Sequence, residues 1–309
     1  MRVFYCDHYP VVLPPKHRFP MAKYALLRER LVATGLLAEE QLVPAPQIDR
    51  DSLVAVHAAD YVDAFMGGTL DAAAVRRLGF PWSPELVARS LASVGGTWAA
   101  TRAALEDGLA GHLAGGTHHA YREFGSGFCA FNDLAVAARW ALDEAGLERV
   151  LIFDVDVHQG DGTAALFERD ERVFTCSLHG AKNFPARKQV SDLDVPLADD
   201  TGDEEFLEAM ERALEQSLER SDPQLVLFQA GVDALASDRL GRLALTHAGL
   251  YERDRRMLAR VRSAGLPAVL TLGGGYGEPI EETLAANLGT YRAAREVLEA
   301  GTSAGTVAP

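Results

Sequence analysis

At 309 residues, with 48% hydrophobic and 24% charged side chains, the chain has the balance of an ordinary globular protein, long enough to enclose one substantial core. Its 44 acidic and 30 basic residues leave a net charge of −14, which disfavours nucleic-acid binding through a basic face and would draw cationic peptides or amines. No apolar run approaches the roughly 20 residues that cross a bilayer and no leader pattern opens the chain, so a cytoplasmic protein without a membrane partner is expected.

Cys6, Cys129 and Cys176 are too few and too scattered for a disulfide framework or a thiolate metal site, and read as small buried hydrophobes. No linker, repeat or low-complexity block divides the chain, so residues 1–299 read as one domain and 300–309 as a disordered tail. Val3-Phe4-Tyr5 predicts a short strand, and the Pro-rich loop Pro14 to Pro20 serves either as a lid or as a connection. Helices are expected from Met21 to Gly35 and from Ala59 to Phe65. Ser83-Pro84-Glu85 starts another that runs toward Ser93, with proline at its first position, and the Ala-rich span Thr97 to Leu105 predicts a separate one.

Gly115-Gly116-Thr117-His118-His119-Ala120 is the first stretch that carries chemistry. Two glycines permit a tight bend, and adjacent side chains in extended chain point opposite ways, so both imidazoles reach one site only on an irregular backbone. Gly125 to Asp133 is a glycine-flanked aromatic loop that enters a helix from Leu134 to Glu144; Phe128 and Phe131 are candidates to line an apolar pocket.

Val150 to Phe153 is a strand buried on both faces, and acids and an imidazole follow it with hardly a break. Strand alternation puts Asp154, Asp156 and His158 on one side and Val155 and Val157 on the other. Positions two apart are separated by about 6.6 Å and can lean onto one ion, whereas positions four apart, about 13 Å, cannot, so one of the three plays a supporting part. A carboxylate with an imidazole suits Zn²⁺ or a similar divalent ion, and a catalytic site would add one more protein ligand and keep a position open. Asp154 and Asp161 suit orienting partners for the two imidazoles.

Val173 to His179 is a further buried strand, with Asn183-Phe184-Pro185 in the loop beyond it. The acidic helix Asp203 to Glu219 leads to a strand expected over Leu225 to Asp233, whose terminal acid is the candidate third ligand. A helix from Thr246 to Ala264 precedes the strand Ala268 to Leu272, which ends in Gly273-Gly274-Gly275-Tyr276-Gly277. That loop lacks the Lys-Ser/Thr of a phosphate-binding loop, and its glycines instead let the Tyr276 hydroxyl reach a reacting centre. Alternating strands and helices predict an α/β protein with a mostly parallel central sheet, the polar stretches meeting at the carboxyl ends of its strands.

These stretches resemble the histone deacetylase family, of the arginase-deacetylase fold, and most closely its class IV-like and bacterial members. His17 to Lys23, Gly115 to Ala120, Gly127 to Asp133, Asp154 to Gly162, Ser177 to His179, Ala230 to Leu240 and Gly273 to Tyr276 occur in family order over nearly the whole chain. The resemblance implies metal ligands at Asp156, His158 and Asp233, with Asp154 beside His118 and Asp161 beside His119. It implies a structural K⁺ held by Asp154, Asp156, His158, Ser177 and Leu178, and a tunnel for an acylated lysine with Phe128 and Phe184 as walls and Gly127 and Gly274 against the substrate.

The activity implied is zinc-dependent removal of acetyl or longer acyl groups from lysine, with Fe²⁺ as a possible metal in the cell. His119 would act as base and then acid, His118 would tune it, and Tyr276 would stabilise the oxyanion. An acylated polyamine or other small amide is the alternative substrate. A binuclear manganese ureohydrolase is disfavoured because Gln159-Gly160 shifts Asp161 by one residue and reverses its facing. A silent acyl-lysine binder would have lost a ligand or Tyr276, and none is missing. Nothing in the sequence fixes the oligomeric state.

Overall fold

The computed structural model describes residues 1–304. Eight strands form one sheet: β1 (Val3–Tyr5), β2 (Leu42–Pro44), β3 (Leu109–His112), β4 (Val150–Asp154), β5 (Val173–Gly180), β6 (Leu193–Leu197), β7 (Leu225–Gln229) and β8 (Ala268–Thr271). Their order is β2-β1-β3-β8-β7-β4-β5-β6, with every pairing parallel, so all carboxyl ends share one edge. Alternation along β4 feeds two cores. Leu151 and Phe153 point into one and Val150 and Ile152 into the other.

The first core is closed by α1 (Lys23–Ala33), α8 (Asp203–Ser221), α9 (His247–Ser263) and α10 (Ile280–Ala304). The second lies under α2 (Arg50–Val54), α3 (Ala59–Gly67), α5 (Pro84–Asp107), α6 (Asp133–Asp143) and α7 (Asp161–Phe167), with α4 (Ala72–Leu78) at its margin. Helices on both faces explain why the inner strands read as unbroken apolar runs.

Three expectations are corrected. The two helices expected over Pro84–Ser93 and Thr97–Leu105 are one, α5, begun by the Ser83 hydroxyl accepting from Leu86 N and continuing through Gly95-Gly96. That pair is there for close approach: a Cβ on Gly95 would lie 2.0 Å from the Pro46 carbonyl and one on Gly96 2.4 Å from the His112 ring. Leu225 to Asp233 is not a strand throughout, since β7 stops at Gln229 and the chain turns before Asp233. Of the tail expected at 300–309, residues 300–304 belong to α10, and residues 305–309 lie outside the described residues.

Candidate active site

The four central strands, β3, β8, β7 and β4, deliver the polar groups to one point beyond their carboxyl ends. β4 stops at Asp154, and from there the backbone bends: the Asp154 carboxylate accepts from Asp156 N (3.0 Å) and the Asp156 carboxylate from His158 N (3.0 Å). Asp154, Asp156 and His158 therefore converge through side-chain-capped turns, and the strand alternation expected to align them does not operate there.

Asp156, His158 and Asp233 offer ligand atoms all within 4.8 Å of one another, and each residue is buried. His158 Nδ1 lies 3.0 Å from Asp156 Oδ1 and 3.0 Å from Asp233 Oδ2. The outer oxygens are tied down as well. Asp156 Oδ2 accepts from Gln229 Nε2 (2.9 Å) and Gly274 N (2.7 Å), and Asp233 Oδ1 from Val157 N (2.9 Å). A Cβ on Gly274 would sit 1.9 Å from Asp233 Oδ2 and one on Gly231 2.3 Å from Asp156 Oδ2, so both glycines are needed for the backbone to cradle the carboxylates.

The electrostatics of the triad call for a cation. Against the cost of burial, Asp156 and Asp233 raise the His158 imidazole to about 10, while burial and the Asp156 charge push the Asp233 carboxyl up to about 7. Two carboxylates and one imidazole are a donor set that suits a divalent ion with a position left open, so the residues fit a catalytic metal centre.

The expected imidazole–carboxylate pairs are both present. His118 Nδ1 lies 2.6 Å from Asp154 Oδ2, His119 Nδ1 lies 2.6 Å from Asp161 Oδ1, and the two Nε2 atoms are 3.1 Å apart. Gly115 and Gly116 both take positive φ, the irregular backbone needed to turn adjacent histidines to one site. Their environments differ. Burial opposes charge on His118, but Asp154 and Asp156 overcome it and raise it to about 9; burial and the His118 charge lower His119 to about 4 despite Asp161. His119 is therefore neutral at pH 7, the form in which an imidazole accepts a proton.

Tyr276 is buried, and burial with the Asp156 and Asp233 charges holds its phenol well above the ordinary value, so it stays a donor. Its backbone is clamped by Asp238, which accepts from Tyr276 N at 2.6 Å, and by Arg239, which donates to Tyr276 O at 3.1 Å. Phe184 stands edge-on to His119, ring centroids 4.9 Å apart, and Phe128 lies 6.1 Å from Tyr276. Gly127 is pressed between them: a Cβ there would lie 2.7 Å from the His119 ring and 3.3 Å from Phe184. Phe131, the other pocket candidate, packs on Phe65 and Tyr61 in the core and, with Phe128, lines a small apolar cavity beside Phe19 and Phe80.

The residues expected around a monovalent cation lie along one buried seam. Asp154 and Ser177 are paired between β4 and β5, Leu178 follows, and Gly180 N donating to Val157 O carries the seam past the end of β4 to Asp156 and His158. The Ser177 hydroxyl also lies 3.0 Å from His179 Nδ1.

Several supporting groups went unread in the sequence. Asp133, at the start of α6, accepts from Gly116 N (3.0 Å), Thr117 N (2.7 Å) and Thr97 Oγ1 (2.5 Å), and so fixes the loop that presents the histidines. Lys23, wholly buried, donates to the carbonyls of Gly273 (3.2 Å) and Gly275 (3.4 Å). Gln229 couples Asp156 to Gly231 N (2.7 Å). Arg253 and Asp254, a fully buried ion pair at 2.8 Å, fix the segment leading to Asp233: Arg253 donates to Gly231 O (2.6 Å) and Ala230 O (3.2 Å), and Thr290 donates to Asp254 (2.6 Å).

Residues 17–290 match the histone deacetylase domain. An uncharacterized protein of Picosynechococcus sp. is 45% identical over 295 residues, 96% of this chain and 98% of that protein. The histone deacetylase-like amidohydrolase of Pseudomonas aeruginosa is 34% identical over 278 residues, 82% of this chain and 70% of that protein. A histone deacetylase homologue solved in complex with SAHA shares the fold, with a TM-score of 0.81 over 97% of this chain and 88% of that one at 24% identity. The chain belongs to the histone deacetylase family, and its sheet is the arginase-deacetylase fold. It is a deacetylase-type hydrolase, with bacterial proteins among its relatives. Among the described residues, no helix is long and apolar enough to cross a membrane.

Proposed function

We propose that the chain is a zinc-dependent lysine deacylase that hydrolyses the amide of an acylated lysine side chain. The observation that carries this reading is the buried triad of Asp156, His158 and Asp233 set beside a neutral imidazole and a tyrosine. A zinc ion held by those three residues would supply an activated water nucleophile and Lewis acidity at the carbonyl, and Fe²⁺ could serve in its place.

The chain's own residues account for the remaining steps. His119 Nε2 accepts the nucleophile's proton and returns it to the departing lysine amine; Asp161 accepts from Nδ1–H, so that Nε2 carries the lone pair, which faces His118 Nε2 at 3.1 Å. His118, kept cationic by Asp154 and Asp156, steadies the negative charge that builds beside it. Tyr276 donates its hydroxyl to the developing oxyanion. Phe128 and Phe184 exclude water and align the substrate's alkyl stem; Gly127 lets His119 and Phe184 close in beside it, and Gly274 brings its backbone against the substrate where a side chain would strike Asp233. Asp154, Asp156, His158, Ser177 and Leu178 form the seat for a structural K⁺.

Asp161 is committed to His119 and to the Tyr121 hydroxyl (2.9 Å), which leaves it unavailable to a second ion and disfavours the manganese ureohydrolase reading. The test is a panel of lysine peptides from acetyl to myristoyl, with acetylated polyamines alongside, assayed with zinc- and iron-loaded protein. Turnover of at least one acyl-lysine peptide is expected. Turnover of polyamines alone would replace lysine as substrate, and metal-loaded protein inert toward every amide would leave a binding protein.

A further inference from the structure

Five aromatic rings surround the approach to the triad, and each comes from a different segment: Phe19 (residues 9–22), Phe80 (79–83), Phe128 (124–132), Phe184 (181–191) and Tyr276 (273–277). None of these segments contains an aspartate or glutamate, in a chain that holds 44. Two of them carry Lys16, Arg18, Lys182, Arg187 and Lys188. The mouth is thus cationic on an acidic protein.

The pairing pattern sharpens the contrast. Acids that adjoin these segments have partners of their own: Glu278 pairs with Arg239 at 2.6 Å, Asp199 with Arg242 at 2.8 Å and Lys182 at 3.2 Å, Glu123 with Arg122 at 3.9 Å, and Asp192 accepts from Thr175 N at 2.8 Å. Lys188 is spent on the loop itself, donating to the Asn183 and Pro185 carbonyls at 2.6 Å each. Lys16, Arg18 and Arg187 are exposed and, among the described residues, have no ion-pair or hydrogen-bond partner. They flank opposite walls: His17, between Lys16 and Arg18, stacks on Phe80 at 5.6 Å and meets Phe128 at 5.8 Å, whereas Arg187 follows Phe184 by three residues. The large hydrophobics exposed among the described residues, Val12 (94%), Val190 (80%) and Phe184 (45%), all belong to these same two segments.

We propose that this rim selects acyl-lysines embedded in acidic segments of protein, and turns away acetylated polyamines and lysines flanked by basic residues. The inference rests on the deacylase reading and supplies its substrate class. Each unpaired cation is a long-range attractor for an anionic flank and a repeller of a polycation, and Val12 and Val190 offer apolar contact beside them. The long-range pull of the −14 net charge on cationic substrates, expected from composition, is reversed where the substrate docks.

The test compares one acyl-lysine peptide with Asp/Glu, Gly/Ser or Lys/Arg flanks, together with an acetylated polyamine. kcat and KM are measured at low and high salt, and affinity is read by fluorescence anisotropy on Tyr276→Phe, which reports the rim even without turnover. An acidic flank is expected to lower KM about tenfold relative to a basic one, with kcat unchanged and the difference shrinking in salt. Lys16→Glu/Arg18→Glu/Arg187→Glu should invert the ranking in turnover and binding alike. Arg187→Glu alone should move it, whereas Arg169→Glu, an exposed cation on the loop before β5, should not; metal content and circular dichroism check each fold. Equal or reversed preference in an active enzyme, or an acidic preference that survives the triple variant, overturns the rim while leaving the deacylase standing. A flat ranking together with anionic-vesicle binding lost in the same variants would assign the rim to lipid and also overturn it. Metal-loaded protein that turns over no amide removes the deacylase reading, and the anisotropy ranking then judges the rim separately.

Discussion

The floor of the site and its mouth are built in opposite ways. On the floor, Asp156, His158 and Asp233 are buried, every carboxylate oxygen is already bonded, and glycines 231 and 274 stand where any Cβ would strike a carboxylate. At the mouth, Phe184 is 45% exposed, and Lys16, Arg18 and Arg187 are without partners among the described residues. The difference separates two tasks: the floor holds fixed geometry for chemistry, whereas the mouth offers charge and apolar surface to whatever carries the acyl amine.

Substitutions should follow that division. Asp233→Asn removes one of two buried carboxylates and should abolish metal binding and turnover together, read by metal content after gel filtration; full metal occupancy would break the contrast at its base. Tyr276→Phe should keep the fold and the metal but reduce kcat by about 10²–10³, the usual cost of losing one oxyanion donor, as measured by steady-state kinetics. Unchanged turnover would refute that role. Gln229→Leu, which touches the metal only through Asp156, should weaken metal affinity by about 10–100-fold in a chelator competition with smaller change in fold stability. At the mouth, Phe184→Ala should raise KM by only a few-fold, roughly the loss of one apolar wall, with kcat near the parent value. A kcat loss as large as that of Tyr276→Phe would erase the distinction between the two regions.

The sequence announced the floor more clearly than the frame around it. Asp156, His158, Asp233, the paired histidines and Tyr276 were readable because buried-strand patterns end in groups that only a site would tolerate there. Strand alternation predicts a shared side for Asp154, Asp156 and His158, but their convergence comes from carboxylates capping the turns after Asp154. Asp133, Gln229, Lys23 and the Arg253–Asp254 pair carry no role legible in the sequence because each acts by holding backbone or another side chain, a job that leaves no spacing signal. The edge strands β2 and β6 are short and only partly buried, so they carry little apolar pattern. Gly95-Gly96 lies inside α5, where close packing against Pro46 and His112 requires glycine. Composition alone points to cationic substrates because a net charge averages over the whole surface, whereas the proposed rim would set the sign locally, at the mouth.

The most direct test of the central claim is anomalous diffraction at the zinc edge from crystals grown with zinc. The account predicts one strong peak coordinated by Asp156, His158 and Asp233, beside His119 and Tyr276. An active enzyme whose crystals show that position without metal, or with the peak held by other residues, would contradict it.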